Sequence, residues 1–359
     1  MKSLRDYRKL SSLTQVELAQ KTGIRVATIS SLENGKSQAR EGTLIELAKA
    51  LEIDVEELRT AMRGHATEQK QSMIEQVEND WLFLEELDKD LRAGLAQSLI
   101  AEWTHSSTAL EGNTISAGDT LFILTEGLTV SGKSLREHQE IHGHAKALTL
   151  MSHWVKTKHT IGIEALHQLH RSVQTEEIVD IYQPIGSWKV EPNGTMVMPS
   201  NGETKWHEYT SAKNVPALIK AWIKSLNHFN STLAVKNPNT SEIDRIAILI
   251  EAYTDIHLGF VGIHPYADGN GRLARLVANI PLLRAGMPPL LVSKDQRRNY
   301  INLLGDYTLV IGQLNPEDDI VKQGNERNAL RDFFANQWKT TLDHVDDFRQ
   351  RQHQRNDNT

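Results

Sequence analysis

The sequence predicts an all-α protein with a single β-hairpin, and three observations support this prediction. Apolar residues recur at helical spacing through most of the chain, for example from about Ile243 to Phe260. Glycine, proline or capping residues separate these runs at short intervals. Asn193-Gly194 is a strong hairpin turn signal between two short segments, Ser187–Val190 and Thr195–Met198. We therefore expect helices packed on helices, with one hairpin at about residues 187–199.

The composition excludes several classes of function. The chain has no cysteine, which excludes disulfides, cysteine-based zinc sites and cysteine nucleophiles. The charged N-terminus lacks the apolar segment of a signal peptide, and we expect no apolar run long enough to span a membrane. The net charge of −6 argues against nucleic-acid binding by the whole surface. We expect a cytoplasmic protein without membrane contact.

Residues 1–63 have the pattern of a small helical bundle. Thr14 is a candidate N-cap for a helix that Gly23 ends, and a second helix is predicted from Val26 to Glu33. Ala19, four residues before Gly23, is small enough for the close crossing of a helix-turn-helix. The predicted segments after this bundle are a linker and connecting helix (64–94, with the linker at 64–72), a larger helical domain (95–310), and C-terminal helices with a polar tail (311–359), which is expected to be disordered from Arg349.

The segment from Leu13 to Leu58 resembles the lambda-repressor-like, XRE-type DNA-binding family. The resemblance implies a recognition helix over residues 26–31 and DNA as a partner of residues 1–63. Eleven Lys and Arg stand against nine Asp and Glu there, so binding is expected to be modest or to need a dimer. A helix-turn-helix kept for protein contact is the alternative. The predicted DNA-contacting residues are Gln15, Arg25, Thr28 and Ser31.

Residues 264–275 concentrate groups suited to chemistry on a phosphate, between two apolar helical runs. A helix start with glycines offers backbone N–H groups and a favourable dipole to an anion. Arginine gives bidentate phosphate contacts, a single carboxylate can hold Mg²⁺ on a polyphosphate, and histidine can take a proton from a hydroxyl. The set predicts phosphoryl or nucleotidyl transfer. Its members are His264, Asp268, Gly269, Asn270, Gly271, Arg272 and Arg275.

The same stretch resembles the signature loop of the Fic family, with Tyr266 where the family usually has Phe. The resemblance covers about residues 95–310 and implies a helical Fic fold with a β-hairpin flap. It also implies transfer of AMP from ATP to a Ser, Thr or Tyr hydroxyl of a target protein, with Mg²⁺ as the metal. The residues that carry it are His264-Pro265-Tyr266-Ala267-Asp268-Gly269-Asn270-Gly271-Arg272 and Arg275.

The resemblance assigns a role to each of these residues. His264 would be the general base, and Asp268 would place Mg²⁺ on the α- and β-phosphates. The backbone of residues 269–271 would cradle phosphate, and the side chain of Asn270 would also reach the α-phosphate. Arg272 and Arg275 would hold the β- and γ-phosphates. Tyr300 is expected near the adenine, on a looser match.

Upstream, Ser107-Thr108-Ala109-Leu110-Glu111-Gly112 closes a predicted helix and resembles the inhibitory motif of the same family. This implies that Ser107, Glu111 and Gly112 form an inhibitory segment, in which Glu111 accepts the guanidinium of Arg275. The resemblance further implies that a target protein docks at the hairpin, about residues 187–199, by strand addition. Trp188 and Lys189 stand where the family often has Arg, so the details of docking are expected to differ.

Three alternatives stay open at this stage. Removal of AMP, with Glu111 orienting a water, would use the same residues. Another donor, or a kinase reaction as in the Doc relatives, is disfavoured by the intact Gly-Asn-Gly-Arg loop. A transcriptional regulator with the Fic domain as ligand sensor is disfavoured by the intact loop, while the helix-turn-helix keeps it open. A homodimer also stays open.

Overall fold

The computed structural model describes residues 3–11, 13–33, 39–174, 182–200, 202–233 and 241–357, with the backbone alone at 61 and 63–72. Within these ranges the protein is all-α with one two-stranded hairpin, as predicted. The chain divides into two units, Met1–Met73 with Phe122–Thr129, and Ile74–Leu121 with Val130–Thr359.

The first unit is a bundle of short helices. Thr14 caps α2 by accepting from the backbone N–H of Glu17, and Gly23 ends that helix at φ +69°, as the sequence predicts. The core contains Leu18, Ile29, Leu47 and Leu58, each 0% exposed. The helices are α1 (Leu4–Leu10), α2 (Gln15–Thr22), α3 (Val26–Glu33), α4 (Glu41–Leu51) and α5 (Val55–Asp80).

Two predictions about polar segments need correction. Residues 64–72, expected as a linker, have a helical backbone inside α5. The tail after Phe348, expected to be disordered, is helical to Asp357. Gln352 accepts the backbone N–H of Asp88, and Arg355 pairs with Asp90, so polar contacts far along the chain hold this end.

The second unit is built around α11 (Glu242–Ile263), which ends at the predicted active loop. This helix contacts α10, α12, α13 and α15. Its length and apolar composition would suffice to cross a membrane, contrary to the sequence-based expectation, but 67% of its most apolar window is buried, as in a core helix. The other helices are α6 (Lys89–Leu110), α7 (Ala117–Glu126), α8 (Leu135–Lys156), α9 (Ile163–Val173), α10 (Val215–Leu233), α12 (Asn270–Val277), α13 (Ile280–Arg284), α14 (Arg297–Ile311) and α15 (Asn325–Asp357).

The hairpin exists, but its predicted strands are wrong. Strand β1 (Gly194–Val197) pairs antiparallel with β2 (Lys205–Glu208), so the hairpin covers 194–208 rather than 187–199. Gly194 lies inside β1 instead of in a turn. A Cβ at this position would come within 2.5 Å of the Trp206 indole and of the His207 carbonyl oxygen, so the strand pair requires glycine here. Residues 187–190 instead run beside the active loop.

Candidate active site

His264 lies at the C-terminal end of α11, where the chain turns into the loop. Its backbone adopts φ +50°, which is uncommon outside glycine, and its N–H donates to the Phe260 carbonyl at 3.0 Å. The imidazole stacks on the Tyr209 ring, with 3.7 Å between ring centroids and 8° between planes. Burial, followed by the nearby charge of Lys189, lowers the pKa of His264 to about 3. The imidazole is therefore neutral near pH 7 and able to accept a proton.

Asn270 closes the loop on itself. Its amide oxygen accepts from the Tyr266 N–H at 3.0 Å, and its amide nitrogen donates to the Tyr266 carbonyl at 2.9 Å. The amide nitrogen has a second N–H, so contact of this side chain with the α-phosphate stays a prediction. Backbone N–H groups of the first turn of α12 have no intrahelical partner, and they are also open to an anion.

His170 fixes the other half of the loop. Its Nε2 donates to the Asp268 carbonyl at 3.1 Å, and its Nδ1 accepts the Gly186 N–H at 2.8 Å. The ring stacks on Tyr266, with 3.9 Å between centroids. Burial lowers the pKa of His170 to about 4, so the side chain is neutral and keeps both hydrogen bonds near pH 7.

Arg272 is a buried cation, 5% exposed, on the first turn of α12. It donates to the Gln174 side-chain oxygen at 3.0 Å and to the Val173 carbonyl at 3.3 Å. The Asp268 carboxylate lies 3.5 Å away and is half-exposed. Arg272 thus stands with one carboxylate at the start of α12, and its contact with a phosphate stays a prediction.

Asp268 suits Mg²⁺, which usually takes one or two carboxylates and completes its shell with substrate phosphates and water. The residues that the structure describes contain no cluster of three or more His, Asp or Glu side chains that would hold a metal unaided. An exposed single carboxylate beside Arg272 therefore fits a metal that arrives with a nucleotide.

Arg275, 3% exposed, is fully engaged by the end of α6. It donates to the Ser107 hydroxyl at 3.1 Å, to the Ser107 carbonyl at 2.8 Å and to the Glu111 carboxylate at 2.7 Å. Burial lowers the pKa of Arg275, but Glu111 and Tyr300 together outweigh burial, and the pKa is raised. The three predicted partners Ser107, Glu111 and Arg275 thus meet in one place.

Glu111 also lies against the start of α12. A Cβ on Gly271 would come within 2.4 Å of the Glu111 carboxylate oxygen, so the glycine leaves room for this group. Gly112 follows at φ +106° and turns the chain away from α6. The carboxylate of Glu111 therefore occupies space at the helix start, where an anion would be attracted.

Tyr300 is placed differently from the expectation. The ring is 1% exposed, and its hydroxyl lies 2.8 Å from Nε2 of His257. Because no face of the ring is open, it offers no surface to an adenine. Tyr300 instead lies beside Arg275 in the core and helps to hold that guanidinium.

In the first unit, the predicted DNA contacts fall into two groups. Arg25 and Thr28 are exposed at and near the start of α3, and Ser31 is half-buried. The Gln15 amide donates to the buried Glu33 carboxylate at 2.8 Å, which ties its side chain to the bundle. Arg25 and Thr28 are therefore the residues best placed for a DNA contact.

Four residues that shape the site were not connected with it by the sequence. They come from outside the signature loop and reach it only through the tertiary fold. The sequence placed Lys189 and Asn193 only at the predicted hairpin, and no local pattern marked His170 or Tyr209. The missed residues are His170, Lys189, Asn193 and Tyr209.

Comparison with known proteins supports two domain assignments. Residues 4–58 match the helix-turn-helix family, and residues 160–282 match the Fic/DOC family. The chain is 30% identical over 231 residues to protein adenylyltransferase fic-1 of Caenorhabditis briggsae, covering 64% of this chain and 40% of that protein. It is 31% identical over 201 residues to protein adenylyltransferase Fic of Nematostella vectensis, covering 56% and 41%. The chain thus spans about two fifths of the length of these relatives.

Solved structures share the fold. A Fic domain containing signaling protein from Bacteroides thetaiotaomicron superposes with a TM-score of 0.62 at 24% identity, over 76% of this chain and 95% of that one. Fic-1 from C. elegans superposes with a TM-score of 0.52 at 21% identity, over 96% and 91%. At these identities the likeness concerns the fold alone.

Proposed function

We propose that this chain, with its match to the helix-turn-helix family over residues 4–58 and to the Fic/DOC family over residues 160–282, is a protein adenylyltransferase. It would transfer AMP from ATP to a Ser, Thr or Tyr hydroxyl of a target protein. One observation carries the proposal: a single loop joins a neutral, half-buried histidine to a helix start flanked by two buried arginines. The relatives named protein adenylyltransferase support the same activity.

The loop supplies the groups that this reaction needs. His264 would accept the proton of the target hydroxyl, whose oxygen then bonds to the α-phosphorus of ATP. The bond from the α-phosphorus to the bridging oxygen of the β-phosphate breaks, and pyrophosphate leaves. Arg272 and Arg275 would hold the β- and γ-phosphates at the start of α12. A Mg²⁺ ion held by Asp268 would neutralise phosphate charge when bound.

We further propose that Glu111 restrains this activity. Its carboxylate takes the guanidinium of Arg275 and lies over the start of α12, both of which the phosphates of ATP would need. ATP that binds beside this ion pair would have its phosphates displaced from the in-line position. A displacement of about 1 Å can reduce the rate about a hundredfold.

The test is incubation with ATP labelled either at the α- or at the γ-phosphorus, using parent and Glu111→Gly protein. We expect protein labelling from α-labelled ATP alone, with release of pyrophosphate. Labelling from γ-labelled ATP would instead identify a kinase. Absence of labelling from either nucleotide, by a folded Glu111→Gly protein with a range of candidate targets and with itself, would contradict the proposal.

Removal of AMP is a second candidate, favoured by one feature of Glu111. Only one of its carboxylate oxygens bonds Arg275 among the described residues, and the side chain is 42% exposed. The other oxygen is available to orient a water toward a phosphodiester. Incubation of an adenylylated target with parent protein and with Glu111→Gln would separate the two directions, since only removal requires the carboxylate.

We propose that the hairpin is the docking edge for the target. Tyr209 directly follows β2 and stacks on His264, so a strand added to the hairpin would run near the base. The exposed pair Met196 and Trp206 offers apolar contact to side chains of that strand. Trp206→Ala should then raise KM for the target protein while leaving KM for ATP unchanged, as steady-state kinetics would show.

For residues 1–63 we propose DNA binding, which makes regulation of transcription a further role. The exposed Arg25 and Thr28 at the start of α3 favour it. A fluorescence anisotropy titration of the full chain against its own promoter region is the measurement. We expect affinity to fall steeply as salt rises, and to weaken in Arg25→Ala. If neither the parent chain nor Arg25→Ala bound DNA detectably at low salt, a protein-contact role would be favoured.

A further inference from the structure

Three residues outside the signature loop, Lys189, Asn193 and Tyr209, converge on the loop segment that carries His264. We name this group the loop clamp. We infer that the loop clamp, with Asn193 at its centre, sets the position of the His264 imidazole. Lys189 and Asn193 are then positioning residues for the proposed transfer, and this inference rests on the proposed function only for its kinetic part.

The loop clamp holds the two carbonyl groups that follow His264. The Lys189 backbone N–H donates to the Pro265 carbonyl at 2.9 Å, and the Asn193 amide nitrogen donates to the Tyr266 carbonyl at 2.9 Å. These are consecutive carbonyls, so one extended segment fixes the backbone that leaves His264. The left-handed conformation of His264 makes such support necessary, because a non-glycine residue at positive φ persists only where its surroundings hold it.

Lys189 fixes the orientation of the Asn193 amide. The Lys189 ammonium donates to the amide oxygen of Asn193 at 2.5 Å, which leaves the amide nitrogen to face the Tyr266 carbonyl. Lys189 is 3% exposed, an unusual position for a lysine, and none of the described carboxylates lies within ion-pair distance. A buried ammonium that pairs with none of the described carboxylates is costly, and a positioning role for its hydrogen bond to Asn193 accounts for this cost.

The same asparagine also anchors the ring that covers the imidazole. The backbone N–H of Tyr209 donates to the Asn193 carbonyl at 3.0 Å. The Tyr209 ring in turn stacks on His264 at 3.7 Å, and the His207 ring packs edge-on against Tyr209 at 4.9 Å. Asn193 therefore contacts both the loop backbone, through its side chain, and the segment that carries the stacking ring, through its carbonyl. It thus acts on the position of His264 from two sides.

This geometry predicts an effect on the chemical step rather than on nucleotide binding. The loop clamp contacts residues 264–266, while the arginines that bind phosphate lie on α12 and are held by other partners. A small displacement of the base costs rate without costing affinity for ATP. A residue that only stabilised the fold would lower the amount of folded protein and leave kcat and KM of that protein unchanged.

The kinetic experiment compares Asn193→Ala with Asn227→Ala, both in the Glu111→Gly background. Asn227 is the matched control, because its amide nitrogen also donates to a distant backbone carbonyl, that of Ile161, its amide oxygen also accepts a hydrogen bond, and it is similarly half-buried. We expect Asn193→Ala to lower kcat about ten- to a hundredfold at unchanged KM for ATP. Asn227→Ala should leave kcat unchanged. Equal kcat in both variants would overturn the inference.

Lys189→Met provides a second variant in case Asn193→Ala does not fold. It keeps an apolar stem and removes the ammonium that orients Asn193. We expect a smaller loss of kcat than for Asn193→Ala, and no further loss when the two changes are combined, because both act through one contact. Additive losses in the double variant, or no loss in Lys189→Met, would contradict the role of Lys189.

A readout without catalysis separates this inference from the proposed function. The Tyr209 ring current shifts the NMR signals of the His264 ring, which a His264→Gln variant identifies by their absence. Asn193→Ala should move these signals toward those of an unstacked histidine, and Asn227→Ala should not. If no variant transfers AMP but the signals move as expected, the proposed function fails and the loop clamp stands. If the signals stay in place, the loop clamp fails whatever the activity.

Discussion

The two ends of the loop 264–275 are held in opposite ways. At the base end, His264 is neutral and stacked on Tyr209, and burial together with Lys189 keeps its pKa low. At the phosphate end, Arg275 is charged, buried and already bound to the Glu111 carboxylate. The histidine at the first end is in the protonation state that a general base needs. At the second end, the Glu111 carboxylate occupies the guanidinium that a phosphate would bind.

This difference suggests where control of the activity acts. A carboxylate 2.7 Å from a buried guanidinium competes directly with a phosphate, which needs the same donors. Its hydrogen bond goes to Arg275 and not to His264, so a change at Glu111 should alter the placement of phosphates and not the base. The two ends are therefore expected to respond independently to substitution.

The largest effect on transfer is expected from removing the base, His264. His264→Ala removes the only group placed to accept the hydroxyl proton among the described loop side chains, and we expect transfer to fall by about a hundredfold to ten-thousandfold. ATP affinity should stay near that of the parent, because phosphate contacts lie on α12. Transfer is measured with α-labelled ATP, and affinity by calorimetry. Near-parent transfer would show that another group is the base.

The next largest effect is expected from removing Glu111, which frees Arg275 to bind a phosphate. Glu111→Gly should raise transfer, including self-labelling, by about ten- to a hundredfold, since a hundredfold corresponds to about 2.7 kcal/mol. Arg275→Ala in that background should remove the gain, because the freed guanidinium is what holds the phosphate. If Arg275→Ala left the gain intact, Glu111 would be acting through some other group.

A smaller effect concerns the histidines around Arg275. His144 and His257 are 0% exposed, and burial, with a contribution from Arg275, lowers the pKa of each to about 3. An unfolded histidine has a pKa of about 6.5, so below pH 6.5 the unfolded chain binds protons that the folded chain does not. Stability is therefore complete above pH 6.5 and decreases as the pH falls toward 3.

Each of these two histidines should lower the free energy of unfolding by about 1.4 kcal/mol per pH unit below 6.5. Urea unfolding at pH 7.5 and 5.5 measures the difference. His257→Gln should reduce the pH dependence, and His228→Asn, at an exposed histidine, is the matched control. An unchanged pH dependence in His257→Gln would show that His257 does not contribute.

Much of the fold was accessible from the sequence because its signals are local. The capping box at Thr14, the glycine at position 23 and the apolar period of α11 each depend on neighbouring residues, and each was confirmed. The hairpin was misplaced for the converse reason. Gly194 has a turn-forming sequence, but its role is to make room for Trp206 across the strand pair, which no local pattern shows.

The site divides in the same way. The loop residues and Glu111 could be named because a long motif fixes their types and spacing. Their partners could not, since Lys189, Asn193 and Tyr209 reach the loop through contacts separated by dozens of residues. The sequence also did not show which of the predicted site residues are buried. Tyr300 was expected near the adenine from its position in the chain, but it lies inside the core.

The central claim is that His264 is already in position while Glu111 occupies Arg275, the residue proposed to bind a phosphate. Its most direct test is single-turnover transfer at saturating α-labelled ATP, measured on parent and Glu111→Gly at equal folded concentration, with the NMR signals of His264 recorded on the same samples. The account predicts a rate higher by about ten- to a hundredfold in Glu111→Gly, with His264 signals unchanged. Equal rates in the two proteins would contradict it, as would a rate increase accompanied by movement of the His264 signals.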